Sequence, residues 1–245
     1  MTTTPAPVLV GCSHGTDSHA GRAAIASILV DLADLRPELD VREAFVDVQQ
    51  PELPDVVVKA VVDAPTVVVP LLLSTGFHVK TDVAEAVDRP GAAAGRPMGP
   101  DPRLVEILAD RLADAGLRDD DAVVVAAAGS SDPEAATAVR EVVAGLAERL
   151  GRPVTVGYGA GAHPRVPVAI ADARAAVAPG GRVVVASYLL APGFFLDRVH
   201  EAGADVVAAP LAPDVRLAQI ALDRFDEVSA QASATWAPSA SRAGA

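Results

Sequence analysis

The chain predicts an α/β fold of two tandem units, each a parallel four-stranded sheet flanked by helices, related by internal duplication. Three observations carry this prediction. Apolar runs of strand length alternate with segments of helical periodicity from residue 7 to residue 228 of the 245, and that alternation is the signature of parallel strands joined by helical crossovers. Half of the composition is apolar (51%) and only 3% is aromatic. The apolar mass is mostly Ala, Val and Leu, which suits helices packed on strands buried on both faces. Finally, blocks of sequence from the first half recur in the second half in the same order.

The elements follow in chain order. The apolar run "PVLVGC" predicts a strand over 7–12, and "RAAIASILVDLADL" carries the helical spacing of a helix over 18–35. A strand over 41–48 and a helix over 53–62 come next, then the run "TVVVPLLL" as a strand over 66–73 and a short helix over 82–88. The stretch "DRPGAAAGRPMGP" (88–100) holds too much Gly and Pro for an element interior and predicts a loop with at most a short strand at its end. A helix over 102–115 closes the first half. The second half repeats the pattern: strands over 122–128, 154–158, 182–190 and 205–209, and helices over 133–150, 167–177, 195–202 and 215–228. The small, polar, Pro-bearing segment 229–245 predicts a disordered tail.

The repeat is visible residue by residue. "PMGPDPRLVEILADRL" aligns with "PLAPDVRLAQIALDRF", Pro97 against Pro210, and Pro97, Pro100, Asp101, Arg103, Leu104, Ile107, Asp110 and Arg111 all recur. At the same offset "VREAFVDVQQPELP" aligns with "VTVGYGAGAHPRVP". "VLVGCSHGTD" matches "VVVAAAGSSD", and "PLLLSTGF" matches "SYLLAPGF". This places one domain at 1–116 and its copy at 117–228.

Charge and cysteine content narrow the function classes. The net charge of −12 argues against generic binding to nucleic acid or an anionic membrane. Cys12 is the single cysteine, so no internal disulfide forms. No run approaches a membrane span, and "MTTTPAP" lacks the features of a secretion signal. A soluble cytoplasmic protein is expected, and because the duplication makes one chain resemble a dimer, a monomer is compatible with it.

The two halves can be read against each other. A fold residue persists in both copies, whereas a site used in one copy decays in the other. In the alignment His14 faces Gly129, Asp47 faces Ala160 and His78 faces Phe195. His14 follows the first strand, Asp47 lies near the end of the second, and His78 follows the third and the turn "STG". With strand order 2-1-3 they project from one carboxyl edge, where open α/β sheets place ligands, on strands about 4.8 Å apart. Two imidazoles and a carboxylate suit Fe²⁺, Co²⁺, Ni²⁺ or Zn²⁺, with open coordination positions left for chemistry. The same imidazoles can accept protons near neutral pH. Other histidines read as ordinary surface groups: His19 in a first helical turn, His163 in a loop, His200 on a helix. Cys12 reads as a small buried residue.

The segments His14-Gly15-Thr16, Ala44-Phe45-Val46-Asp47 and Gly76-Phe77-His78-Val79-Lys80-Thr81-Asp82 resemble the sirohydrochlorin chelatases, the CbiX/SirB group of class II chelatases, in their long form with two chelatase-like domains. The resemblance in motifs spans roughly the first hundred residues. It implies ATP-independent insertion of a divalent metal, Fe²⁺ first and Co²⁺ as the alternative, into sirohydrochlorin on the way to siroheme or cobalamin. It implies His14 and His78 as metal ligands and proton acceptors, Asp47 as the acidic ligand, and no permanently bound cofactor. Asp47 is one methylene shorter than the more usual glutamate, and Cys12-Ser13 stand where glycine or alanine is usual. The absence of a Walker-type Gly-x-x-x-x-Gly-Lys loop agrees with a reaction that needs no phosphate donor. Lys80 and Arg165 are candidates for substrate carboxylates, with Arg96 and helix N-termini in support. Three rivals stand beside this reading. A metal- or tetrapyrrole-carrying protein would use the same pocket without turnover, and a protohaem ferrochelatase would share the fold. A histidine phosphatase would need an arginine where Ser13 precedes His14.

Overall fold

The computed structural model describes residues 5–76 and 79–236. The first copy runs β1 (Val8–Ser13), α1 (His19–Leu35), β2 (Val41–Phe45), α2 (Leu53–Asp63) and β3 (Thr66–Pro70). A π-helical turn (Val79–Val83) then leads into α3 (Ala84–Val87), followed by β4 (Ala92–Ala94) and α4 (Pro102–Asp114). The second copy runs β5 (Ala122–Ala127), α5 (Pro133–Leu150), β6 (Val154–Tyr158), α6 (Val166–Ala176), β7 (Val183–Tyr188), α7 (Phe194–His200), β8 (Val206–Val207) and α8 (Val215–Trp236). Each copy forms an all-parallel sheet, in the orders β2-β1-β3-β4 and β6-β5-β7-β8. The 2-1-3 order supposed for the first three strands is present in both copies.

Three differences from the sequence reading have local causes. β4 lies inside the Gly/Pro-rich stretch rather than at its end, pairing Ala92 with Thr66 and Ala94 with Val68. Three alanines carry no strand signal of their own, and the ladder with β3 supplies it. The helix expected over 82–88 begins earlier, as the π-turn. The last helix continues through Trp236, past the point where the tail was expected to begin; "VSAQASATW" is polar but Ala-rich, and alanine has the highest helix propensity. Residues 237–245 lie outside the described residues.

The central strands are buried along their whole length in β1, β3 and β7, as strands covered on both faces require. One face of the first sheet packs on α2 and α3 around Val10, Val57 and Val68. The matching face of the second sheet packs on α6 and α7 around Val124, Ile170 and Val185. The remaining two faces share a single core, in which Leu9 and Val67 of one sheet join Val125 and Val184 of the other through Leu108 and Ile220.

That shared core forms because the closing helix of each copy crosses to the other. α4 packs on β7 and α5, and α8 packs on β3, β4 and α1. The recurring residues of the repeat build this crossing. Asp101 and Asp214 cap the two helices, accepting from Arg103 N at 3.0 Å and Arg216 N at 3.0 Å. Arg103 donates to Asp223 at 2.7 Å, and Arg216 reaches Asp110 at 2.8 Å. Arg111 donates to the carbonyls of Pro210, Leu211 and Pro213. Arg224, only 2% exposed, donates to those of Pro97 and Met98 and to Asp101. Partners exchange reciprocally, as a pseudo-two-fold axis requires.

Candidate functional site

The site is built at the carboxyl edge of the first sheet. β1 ends in Ser13, and His14 is the first residue beyond it, with its side chain exposed. Gly15 follows at φ +90°, and a Cβ there would stand 2.5 Å from the Asp47 carbonyl. Only glycine lets the turn after β1 approach the turn after β2 this closely. Two backbone bonds then lock the turns together: Val46 N donates to Ser13 O at 3.0 Å, and Asp47 N donates to His14 O at 3.2 Å. Thr16 N donates to Gln49 Oε1 at 2.9 Å, and Ser18 caps α1 by accepting from Gly21 N at 3.2 Å. His14 and Asp47 are thus held on adjacent turns. The Asp47 carboxylate accepts from Val48 N at 2.8 Å, which fixes its orientation. Val48 itself has φ 57°, in the left-handed region that a β-branched residue rarely occupies.

The second copy builds the same turns and corrects the residue correspondence. Gly159 N donates to Ala127 O and Ala160 N to Ala128 O, both at 2.8 Å. Gly129 has φ +82° and sits against the Ala160 carbonyl. Gly129 is therefore the counterpart of Gly15, and His14 faces Ala128 rather than Gly129. The register agrees, since Leu9 pairs with Val41 as Val123 pairs with Val154. Asp47 faces Ala160 as expected. In the turn after the first strand of each copy the conformationally special glycine is kept, and the imidazole is lost from the second.

His78 lies outside the described residues. Its flanks are described: Lys80 N donates to Gly76 O at 3.0 Å, as Asp197 N donates to Gly193 O at 3.0 Å, the register that sets 78 against 195. Among the described residues no three His, Cys, Asp or Glu side chains are grouped to hold a metal ion. Lys80 is committed elsewhere: its Nζ lies 2.7 Å from Asp132 and 2.9 Å from Glu134, both at the start of α5. The bond to Asp132, then that to Glu134, raises its pKa. Its charge ties the two copies together. Asp132 and Glu134 were the residues missed, although "SSDPEAA" carries the signature of a capped helix start. Arg165 lies in the second copy beside a cavity, with Nη1 buried and without a hydrogen-bond partner.

The edges of the two sheets meet at this level. Gly76 lies against Ser130 and Gly193 against Thr16, and Gly21 abuts the Pro192 carbonyl with no room for a Cβ. Beside Asp47 a cavity of about 650 Å³ opens, lined by Glu52, Asp82, Glu85 and Arg89 among others. Its acidic lining favours the approach of a cation. Cys12 is fully buried beneath the site, and burial, with Asp82 second, pushes its thiol up to about 12. With no metal beside it the thiol stays protonated near neutral pH. His19 and His200 are exposed helix-end residues, and His163 is an exposed loop residue. No helix among the described residues is long and apolar enough to cross a membrane.

Comparison with known proteins agrees with the duplication. The family described as CbiX matches the chain twice, over residues 8–115 and 122–228. A sirohydrochlorin ferrochelatase of Priestia megaterium is 30% identical over 145 residues, which is 55% of this chain and 53% of that protein. The chain thus spans about half the length of the curated relative it matches. SirB from Bacillus subtilis with Fe³⁺ superposes with a TM-score of 0.80 at 20% identity, covering 94% of this chain and 98% of that one. SirB from Bacillus subtilis subspecies spizizenii in complex with cobalt gives 0.76 at 18% identity over the same shares.

Proposed function

Because the chain belongs to the CbiX family, we propose that it inserts a divalent metal into sirohydrochlorin without ATP, Fe²⁺ first and Co²⁺ as the alternative. The observation that carries this reading is the pairing of His14 and Asp47 on locked adjacent turns, while the same turns in the second copy hold Ala128 and Ala160. The relatives' metals, Fe³⁺ and cobalt, support the donor set.

The chemistry follows from what the reaction needs. Two pyrrole N–H protons must leave as the metal enters the ring. His14 and His78 hold the incoming metal and accept those protons, and Asp47 contributes a hard, charged ligand. Few protein ligands leave positions open through which the ring nitrogens take over. Exposure of His14 and Asp47 at the edge makes them reachable by a flat macrocycle, and the acidic cavity beside Asp47 raises the local cation concentration.

Insertion kinetics with sirohydrochlorin and Fe²⁺ or Co²⁺ test this. His14→Ala and His78→Ala each lower kcat/KM by about 100-fold or more, the scale of lost acid–base assistance, while His19→Ala matches the unsubstituted chain. Full activity in both site variants overturns the assignment. Tight metal and tetrapyrrole binding without accelerated insertion identifies a carrier instead, and preference for protoporphyrin a protohaem ferrochelatase.

A further inference from the structure

The second copy keeps the shape of the site and reverses its chemistry. A cavity of about 510 Å³ opens at the ends of β5 and β6, between the start of α6 and α7. It stands where the acidic cavity stands in the first copy. Tyr158 replaces Phe45, Arg165 replaces Glu52, Val199 replaces Asp82 and Ala202 replaces Glu85. With Ala160 and Phe195 at the positions of Asp47 and His78, the metal donors are gone.

What replaces them is an aromatic wall with a cationic end. Phe194 and Phe195 meet edge to face with centroids 5.5 Å apart, and Phe194 is 66% exposed. A Cβ on Gly159 would stand 2.7 Å from the Phe195 ring, so the glycine gives that ring its place. The Arg198 guanidinium sits 5.3 Å from the Phe194 centroid. Glu201, the one acid in the lining among the described residues, lies 3.5 Å from Arg198. Arg165 differs: its Nη1 is shut off from solvent and makes no hydrogen bond to the described residues. A buried, unpaired donor on a charged group is costly, and an anionic oxygen placed there relieves the cost. A mostly apolar cavity with one convergent polar group is the usual form of a small-molecule site.

We infer that this cavity is a second, metal-free ligand site that binds a carboxylate carried on a flat apolar body, with Arg165 taking the carboxylate and Tyr158, Phe194 and Phe195 the ring. Two sources share that chemistry: a free aromatic acid, and one edge of the polycarboxylated tetrapyrrole of the proposed reaction. The site itself does not depend on metal insertion.

Fluorescence titration of the metal-free full chain with anilinonaphthalene sulfonate, an anion on a flat apolar body, tests it. One saturable site is expected, displaced by benzoate or by sirohydrochlorin. Arg165→Met weakens the probe by about tenfold or more, the effect of one charge-assisted bond. Ala202→Phe, which fills the cavity and keeps both arginines, weakens it as much. Arg149→Met, which removes an exposed arginine at the far end of α5, leaves the affinity within about twofold. Circular dichroism checks that each variant is folded. Displacement by benzoate alone marks a free-acid site, and displacement by sirohydrochlorin marks the tetrapyrrole edge. No saturable site, no displacement by either acid, or unchanged affinity in Arg165→Met or Ala202→Phe overturns the inference. No metal or turnover enters the titration, so its failure leaves the chelatase reading standing.

Discussion

Val48 shows how a single residue next to the site stores strain. Its φ of 57° is shared by Gly161, its counterpart in the second copy, at φ 65°. Glycine occupies that region freely, and a β-branched side chain does so at a cost of about 1–3 kcal/mol. Val48 is 47% exposed, so its side chain recovers little by packing. Val48→Gly should therefore raise stability by about 1 kcal/mol after the added freedom of the unfolded chain is counted, or about 3 °C in Tm for a chain of this size. A lowered Tm in a thermal melt would show that the turn is not strained. The first copy thus tolerates a bulky residue beside Asp47 where the second relaxes to glycine. The candidate ligands stand out in the sequence, because ligand types vanish from one copy while the frame persists. The pairing of His14 with Ala128 was not, because runs of Val and Ala align equally well one residue apart. Only the positive φ of Gly15 and Gly129, and the bonds around them, settle the register.

Most elements could be read from periodicity, since strands buried on both faces are unbroken apolar runs and the helices between them keep their spacing. Which sheet each helix covers could not, because an amphipathic stripe carries no address. The clue was in the repeat itself: Arg103, Asp110 and Arg111 recur with Arg216, Asp223 and Arg224, and a polar residue kept twice beside apolar ones has a structural duty. For α8 that duty falls on Arg224. Burial alone would raise the carboxyl of its partner Asp101, but Arg103 and Arg224 hold it below its ordinary value. Arg224→Met strands the Pro97 and Met98 carbonyls and leaves Asp101 with Arg103 alone. Breaking a buried pair from one side costs about 3 kcal/mol. Arg111→Met, at the less buried end of the same symmetric arrangement, costs about 1 kcal/mol. Urea denaturation reads both as shifts in midpoint at constant slope, and equal small shifts would mean that the Arg224 anchor does not hold the crossing.

At the scale of the molecule, the duplication places domains in sequence, and the crossing helices join them in space. The sequence boundary falls in the segment between α4 and β5, where residues 118–120 are exposed, so cutting the chain there removes little packing. It separates α4 from the sheet it covers, however, and α8 from the other. A fragment 1–116 would carry Leu104, Ile107, Leu108 and Leu112 of α4 with no second sheet to receive them, and would leave the α8 side of its own sheet, at Val67 and Val69, open to water. Burial of such side chains is worth about 1.5–3 kcal/mol each, more than a small unit of marginal stability can forgo. Neither half should therefore form a folded monomer. Because the arrangement is pseudo-symmetric, one escape is for fragment 1–116 to pair with itself, each α4 covering the other's sheet. Mixing fragments 1–116 and 117–245 should restore a one-to-one complex with the circular dichroism of the intact chain. Sedimentation of the separate and mixed fragments decides the matter: folded, monodisperse monomers of either half would show that the copies are independent domains and that the shared core is dispensable. If the complex forms instead, the candidate site depends on both copies, since Gly76 with Ser130, and Lys80 with Asp132 and Glu134, hold the residues flanking position 78 in sequence against the second copy. Metal insertion should then return only in the mixture.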